Sequence, residues 1–212
     1  EGTSIYADAL CADGSSMVTE FIYWSDYYNS IISPFYSYST GRTKETLRSS
    51  QVTCRDIDDD GYIEIPEDTS SKKQSSEITS QNWVNYGNTV LSHKCYSFSC
   101  KRDGYILVID DDDFSKVKAN YDSESRKLTI INKKNKSNVF EIVTLINSNY
   151  SVNDPKYKDY TMIMKNSGFV YLAKVNKSSD IDINIQTLKD KFKFDEDSNV
   201  YTRCVKKYLT FS

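Results

Sequence analysis

A mainly β to α+β protein is predicted for this chain, with an N-terminal β-hairpin region followed by an antiparallel sheet covered by one or two helices. Three observations predict it. The 17 Tyr and 9 Phe supply bulk that suits pleated sheets, although only 38% of the 212 residues are hydrophobic. Short apolar runs recur between turn-forming pairs such as Asp13-Gly14, Gly87-Asn88 and Asp103-Gly104. One late segment, with Ile185, Leu188 and Phe192 at i, i+3 and i+7, has clear helical spacing. A chain of this length can bury roughly 70% of the surface its unfolded form exposes, so a sizeable core is available.

Taken in order, Ile5, Ala7, Ala9 and Cys11 alternate, Asp13-Gly14 supplies a turn, and Val18–Trp24 returns as the second strand of a hairpin. Asp26 to Thr40 reads as a Tyr- and Ser-rich connection broken by Pro34. Thr69 to Ser80, with five Ser and two Lys, reads as a loop or linker. Trp83 and Tyr86 then precede a Gly87-Asn88 turn and a strand from Val90 to Phe98. Tyr105–Ile109 is a continuous apolar run, as a strand buried on both faces requires. Asp110 to Asp113 suit the acidic N-cap of a short helix carrying Phe114 and Val117. Leu128–Asn132 and Val139–Ile146 are strands joined by a basic tip, and Tyr160–Met164 and Phe169–Val175 form a hairpin across Asn166-Ser167-Gly168. The helix through Leu188 has Asp182 or Asp180 as its expected N-cap, and Tyr201–Leu209 reads as a terminal strand. The domain reading is a β-rich module at residues 1–100 and an α+β sandwich at 101–212.

The sharpest functional signal is Asp56 to Pro66, DIDDDGYIEIP. From Asp56 to Asp68 there are seven carboxylates and no basic residue. Asp56, Asp58 and Asp60 fall at every second position, and Gly61 permits a sharp structural turn, so their oxygens can converge on one hard cation. The EF-hand spacing is met by Asp56, Asp58, Asp60, Gly61, Ile63 and Glu67, but the flanks lack helical apolar faces and Pro66 follows directly. A strand–loop–strand arrangement is therefore expected, with Glu64 pointing at the ion while Ile63 and Ile65 face the core. In this form the segment resembles the FG-GAP calcium loops of β-propeller blades, whose DxDxDGxxD pattern ends in an acid at the position of Glu64. That resemblance implies a blade-like N-terminal region and a structural Ca2+ held by Asp56, Asp58, Asp60, the Tyr62 carbonyl and Glu64. The alternative is an acidic, solvated turn without metal.

The hairpin, the TEFIYW strand, the tyrosine-rich connection and the acidic loop together resemble uncharacterised surface lipoproteins of low-GC Gram-positive bacteria over residues 1–115. The resemblance implies an extracytoplasmic place, surface-anchored or secreted. The chain opens on Glu1 rather than Met, so a processed form is expected, with any signal or lipid anchor upstream. No apolar run reaches the ~20 residues of a membrane span. The net charge of −3 and the scattered Lys and Arg exclude a nucleic-acid footprint. Five cysteines, at positions 11, 54, 95, 100 and 204, match no zinc spacing; free thiols are expected, with a 95–100 disulfide as the alternative.

Catalytic readings are weaker. His93 is the only histidine, and Cys95 shares its strand face at ~6.6 Å, but no orienting acid stands nearby. The Asp110–Asp113 run diverges in direction and lacks a following Gly, so it reads as a helix cap rather than a metal site. The expected function is an extracytoplasmic, calcium-stabilised binding or scaffold module for an unknown surface ligand, carbohydrate or protein. The alternatives are a polysaccharide or cell-wall hydrolase using a carboxylate pair in an interdomain cleft, and a subunit of a surface assembly. The last predicts an apolar patch near Tyr23 to Tyr38.

Overall fold

The computed structural model describes residues 4–69, 77–87, 89–151, 153–176, 181 and 183–195. The protein is mainly β, built from antiparallel sheets, with two α-helices among the described residues. It divides into two compact units. Among the described residues the first holds 4–69 and 81–95, the second 77–80 and 96–195.

In the first unit, alternation makes the opening hairpin. Strand β1 (Ser4–Leu10) pairs with β2 (Met17–Ser25) in the register Tyr6↔Phe21 and Asp8↔Thr19. The turn is closed by Asp13, whose carboxylate accepts from the Ser15 and Ser16 amides, with Gly14 at φ +70°. Met17, Thr19 and Phe21 of β2 point inward, and Phe21 joins Phe35, Ile65 and Val84 in the unit's core, flanked by Tyr6, Tyr23 and Tyr86. Residues 26–40 are more ordered than a connection. Asn29 adopts φ +46°, a conformation asparagine tolerates, and this turns β3 (Ser30–Ile32) back along β2. Strands β4 (Tyr36–Ser37) and β5 (Arg42–Thr43) make a further small hairpin.

A buried ion pair then fixes the chain before the acidic loop. The fully buried Arg48 guanidinium meets Asp8 at 2.8 Å and donates to Thr19 Oγ1 and to the Val52 carbonyl. Asp8 also accepts the Thr19 hydroxyl and the Cys54 amide. Every member of this enclosed group is therefore satisfied, as a buried charge requires. Beyond the loop, β6 (Ile65–Asp68) pairs with β7 (Ile78–Gly87), Ile65 opposite Val84, and β8 (Val90–Cys100) follows.

In the second unit, β9 (Tyr105–Ile109) lies between the end of β8 and β15 (Phe192–Phe194), with Phe98↔Leu107 and Phe192↔Leu107 as partners. A second sheet has the order β10-β11-β12-β14-β13, from β10 (Val117–Asp122), β11 (Lys127–Asn132), β12 (Asn138–Ile146), β13 (Thr161–Lys165) and β14 (Phe169–Val175). Leu107, Leu128, Ile130, Phe140, Ile142 and Tyr171 fill the core, and Leu188 of α2 (Ile185–Lys191) closes it.

Three local expectations need correction. Helix α1 (Asp111–Phe114) stops before Val117, which starts β10 with Val117 and Ala119 buried at strand spacing. Asp110 makes no capping hydrogen bond, because its side chain pairs with Lys191. The cap of α2 is Asn184, whose side chain accepts from the Thr187 amide. Cys95 and Cys100 are not joined by a disulfide, and both are thiols, as are Cys11 and Cys54. The expected strand at Tyr201–Leu209 lies outside the described residues.

Candidate metal centre

The acidic loop is a connection closed at its base and braced from within. Arg55 and Glu64 exchange both backbone hydrogen bonds, at 3.1 and 2.9 Å, so the eight residues between them form one turn. Asp56 accepts the Asp60 and Gly61 amides on its two oxygens at 3.0 and 2.8 Å. Asp60 accepts the Tyr62 amide at 2.9 Å. These short side chains replace the ladder the turn cannot make. Asp59 at φ +63° and Gly61 at φ +90° supply the reversal, so the glycine is required where the sequence placed it.

Glu64 is the unusual member. It is fully buried, between the loop and Ile65, and Ile57, equally buried, donates its amide to Glu64 Oε2 at 3.0 Å. Oε1 has no hydrogen-bond partner. Burial pushes its carboxyl up to about 7 against the opposing Ile57 amide, with the negative charges of Asp58 and Asp60 adding to the rise. Ligand oxygens of Asp56, Asp58 and Glu64 lie within 4.8 Å of one another, and among the described residues this is the only such grouping of three acids.

The site residues therefore fall into two sets. Asp56, Asp58 and Glu64 come together, with Gly61 turning the chain between them. Asp60 is drawn away by a residue the loop sequence does not contain. Lys94, on β8, places Nζ 2.5 Å from Asp60 and 3.2 Å from Asp58. Its two hydrogen bonds, the stronger to Asp60, raise the lysine, and the same contact lowers Asp60. Tyr62 presents its ring to solvent, and Ile63 is half-buried whereas Ile65 is buried. Nothing in the loop announces Lys94. The only trace is that it alternates with His93 and Cys95 along a strand and so faces the other way.

The remaining candidates carry structural duties. His93 Nδ1 lies against Asn82 Oδ1, and Asn82 in turn donates to Glu67. Asp113 pairs with Lys116 at 3.0 Å and Asp110 with Lys191. Among the described residues no helix is long and apolar enough to cross a membrane. Comparison of the chain with protein-family models, with curated proteins and with solved structures finds no match.

Proposed function

We propose that the protein is an extracytoplasmic, calcium-stabilised binding or scaffold module, with its ion in the Asp56–Glu64 loop. The observation that supports this reading is Glu64: a fully enclosed carboxylate, one oxygen unpartnered, gathered with two further acids. Enclosing a charged oxygen without a partner is costly, and a divalent ion among three carboxylates removes that cost. The donors are all oxygen, which favours a hard ion over zinc or copper, and an irregular turn offering acids of two side-chain lengths suits the variable geometry of calcium better than the strict octahedron of magnesium. Asp56, Asp58 and Glu64 would bind it, with the Tyr62 carbonyl, Asp60 and water as further donors on the FG-GAP resemblance. The ion would tie the Cys54–Ile57 segment to the start of β6, stabilising the first unit by mass action. A thermal melt that rises in about 5 mM calcium, and no longer does so in Asp58→Ala, supports the proposal; an unchanged melt refutes it.

The ligand-facing surface is proposed on the outer side of the β1–β3 sheet. Trp24 and Ile31 stand opposite each other across the β2–β3 ladder, 52% and 63% exposed, with Ile5 on the same sheet face. Tyr27 and Tyr28 pack edge to face at the hairpin tip, as do Tyr36 and Tyr38 at the next one. Such exposed aromatic surface favours the second reading, a subunit of a surface assembly, alongside carbohydrate or protein binding. Sedimentation at increasing protein concentration separates them: self-association abolished by Trp24→Ser supports assembly, and a monomer at all concentrations excludes it.

A further inference from the structure

Resting on the proposed ion site, we infer that Lys94 is a tethered competitor for the divalent ion: its ammonium and the ion exclude each other at Asp58, so calcium binding ejects Lys94 Nζ and Lys94 sets the calcium level at which the site fills. Asp58 belongs to both arrangements. It stands within the three-acid group, and its Oδ2 is 3.2 Å from Nζ. An ion at roughly 2.3–2.6 Å from that same Oδ2 would lie within about 6 Å of a full positive charge, a repulsion that a partly exposed site only partly screens. The lysine stands on β8, and its long side chain is itself partly exposed and able to swing into water.

The competition also accounts for the one expected ligand that stands apart. Asp60 is outside the three-acid group because Lys94 holds it at 2.5 Å. Releasing Nζ frees Asp58 and Asp60 together. The donor set then becomes the four acids of the loop pattern, which a hard ion seeking six to eight oxygens can use. Glu64 distinguishes this from ordinary surface pairing. Its buried Oε1 is a vacancy the ammonium does not fill, because Lys94 is bonded to the two exposed acids and not to Glu64. The loop therefore carries an internal cation on its outer side and an unmet acceptor on its inner side. One ion serving both must displace the lysine.

The test is calcium titration of the full chain by calorimetry at fixed ionic strength, comparing wild type with Lys94→Met, which keeps the stem and deletes the charge. Competition predicts a dissociation constant about 10-fold or more lower in Lys94→Met, and an intermediate shift for no conservative replacement that keeps the charge, so Lys94→Arg stays near wild type. A second measurement needs no variant: labelling of wild-type Lys94 by an amine-reactive reagent, read by mass spectrometry, should rise several-fold when calcium is added. Equal dissociation constants in wild type and Lys94→Met, or weaker binding in the variant, overturn the inference while leaving the ion site standing. Labelling unchanged by calcium that demonstrably binds overturns it too. Binding by neither protein at about 10 mM calcium removes the ion site itself, and the inference with it.

Discussion

Replacing Glu64 by Gln tests the centre of the argument with the smallest change of shape. The carboxyl, ordinarily near 4.5, is raised to about 7 by burial. At 1.36 kcal/mol per pH unit, the charged form therefore costs the folded state about 3 kcal/mol in the absence of an ion. The sign follows from the direction of the shift. A carboxyl raised on folding stabilises fully below its unfolded value, and that contribution is lost as pH rises through the folded value. Calcium-free wild type should thus lose stability between about pH 5 and pH 8, whereas Glu64→Gln should be flatter and the more stable of the two at the upper end. For a chain of this size the gap corresponds to roughly 5–10 °C in Tm. The glutamine oxygen can keep the Ile57 amide, and its NH2 gains the acidic neighbours. Circular-dichroism melts in chelator and in about 5 mM calcium provide the assay, with calcium restoring wild type and leaving the variant unchanged. A variant less stable than wild type at about pH 8 in chelator, or a wild type with no fall in Tm above about pH 5, refutes the reasoning.

Three further outcomes follow from the same geometry. Arg48→Met should cost about 3–5 kcal/mol, because Asp8 is left enclosed without its counter-charge; urea denaturation followed by Trp fluorescence measures it. Gly61→Ala should cost about 1–2 kcal/mol in chelator melts, wholly through the backbone, since nothing lies within 4 Å of the added methyl. Trp24→Ser and Ile31→Ser should stay within about 0.5 kcal/mol of wild type in the same denaturation, because both side chains already face water.

How much was legible in the sequence depended on how local the deciding physics was. Tyr105–Ile109 announces itself because five consecutive apolar residues leave a strand no polar face, and that is where β9 lies. The Asp56–Glu64 turn is legible for the same reason: spacing, glycine and flanking isoleucines all act within one short stretch. Val117 was misread because a single apolar residue after Phe114 fits either period, and only pairing with Asn132 makes it a strand residue. Strand β3 was missed because Ser30–Ile32 is too short to show alternation, and its existence depends on Asn29 taking a positive φ. The N-caps show the same limit in another form. At α1 the acid in the capping position, Asp110, is held by the distant Lys191, as Lys94 holds Asp60, and no local pattern shows that partner.

The interleaving of the two units also bears on how this chain can be cut or shuffled. A fragment ending at residue 100 would carry Phe98 and Cys100 without Leu107 and Tyr105, the strand partners they face. A fragment starting at 101 would lack Ile78, Phe98 and Cys100 from its own interior. Neither half is a transferable cassette, so recombination at the midpoint leaves two sticky remnants, and any fusion or display format has to carry the long β7–β8 hairpin intact.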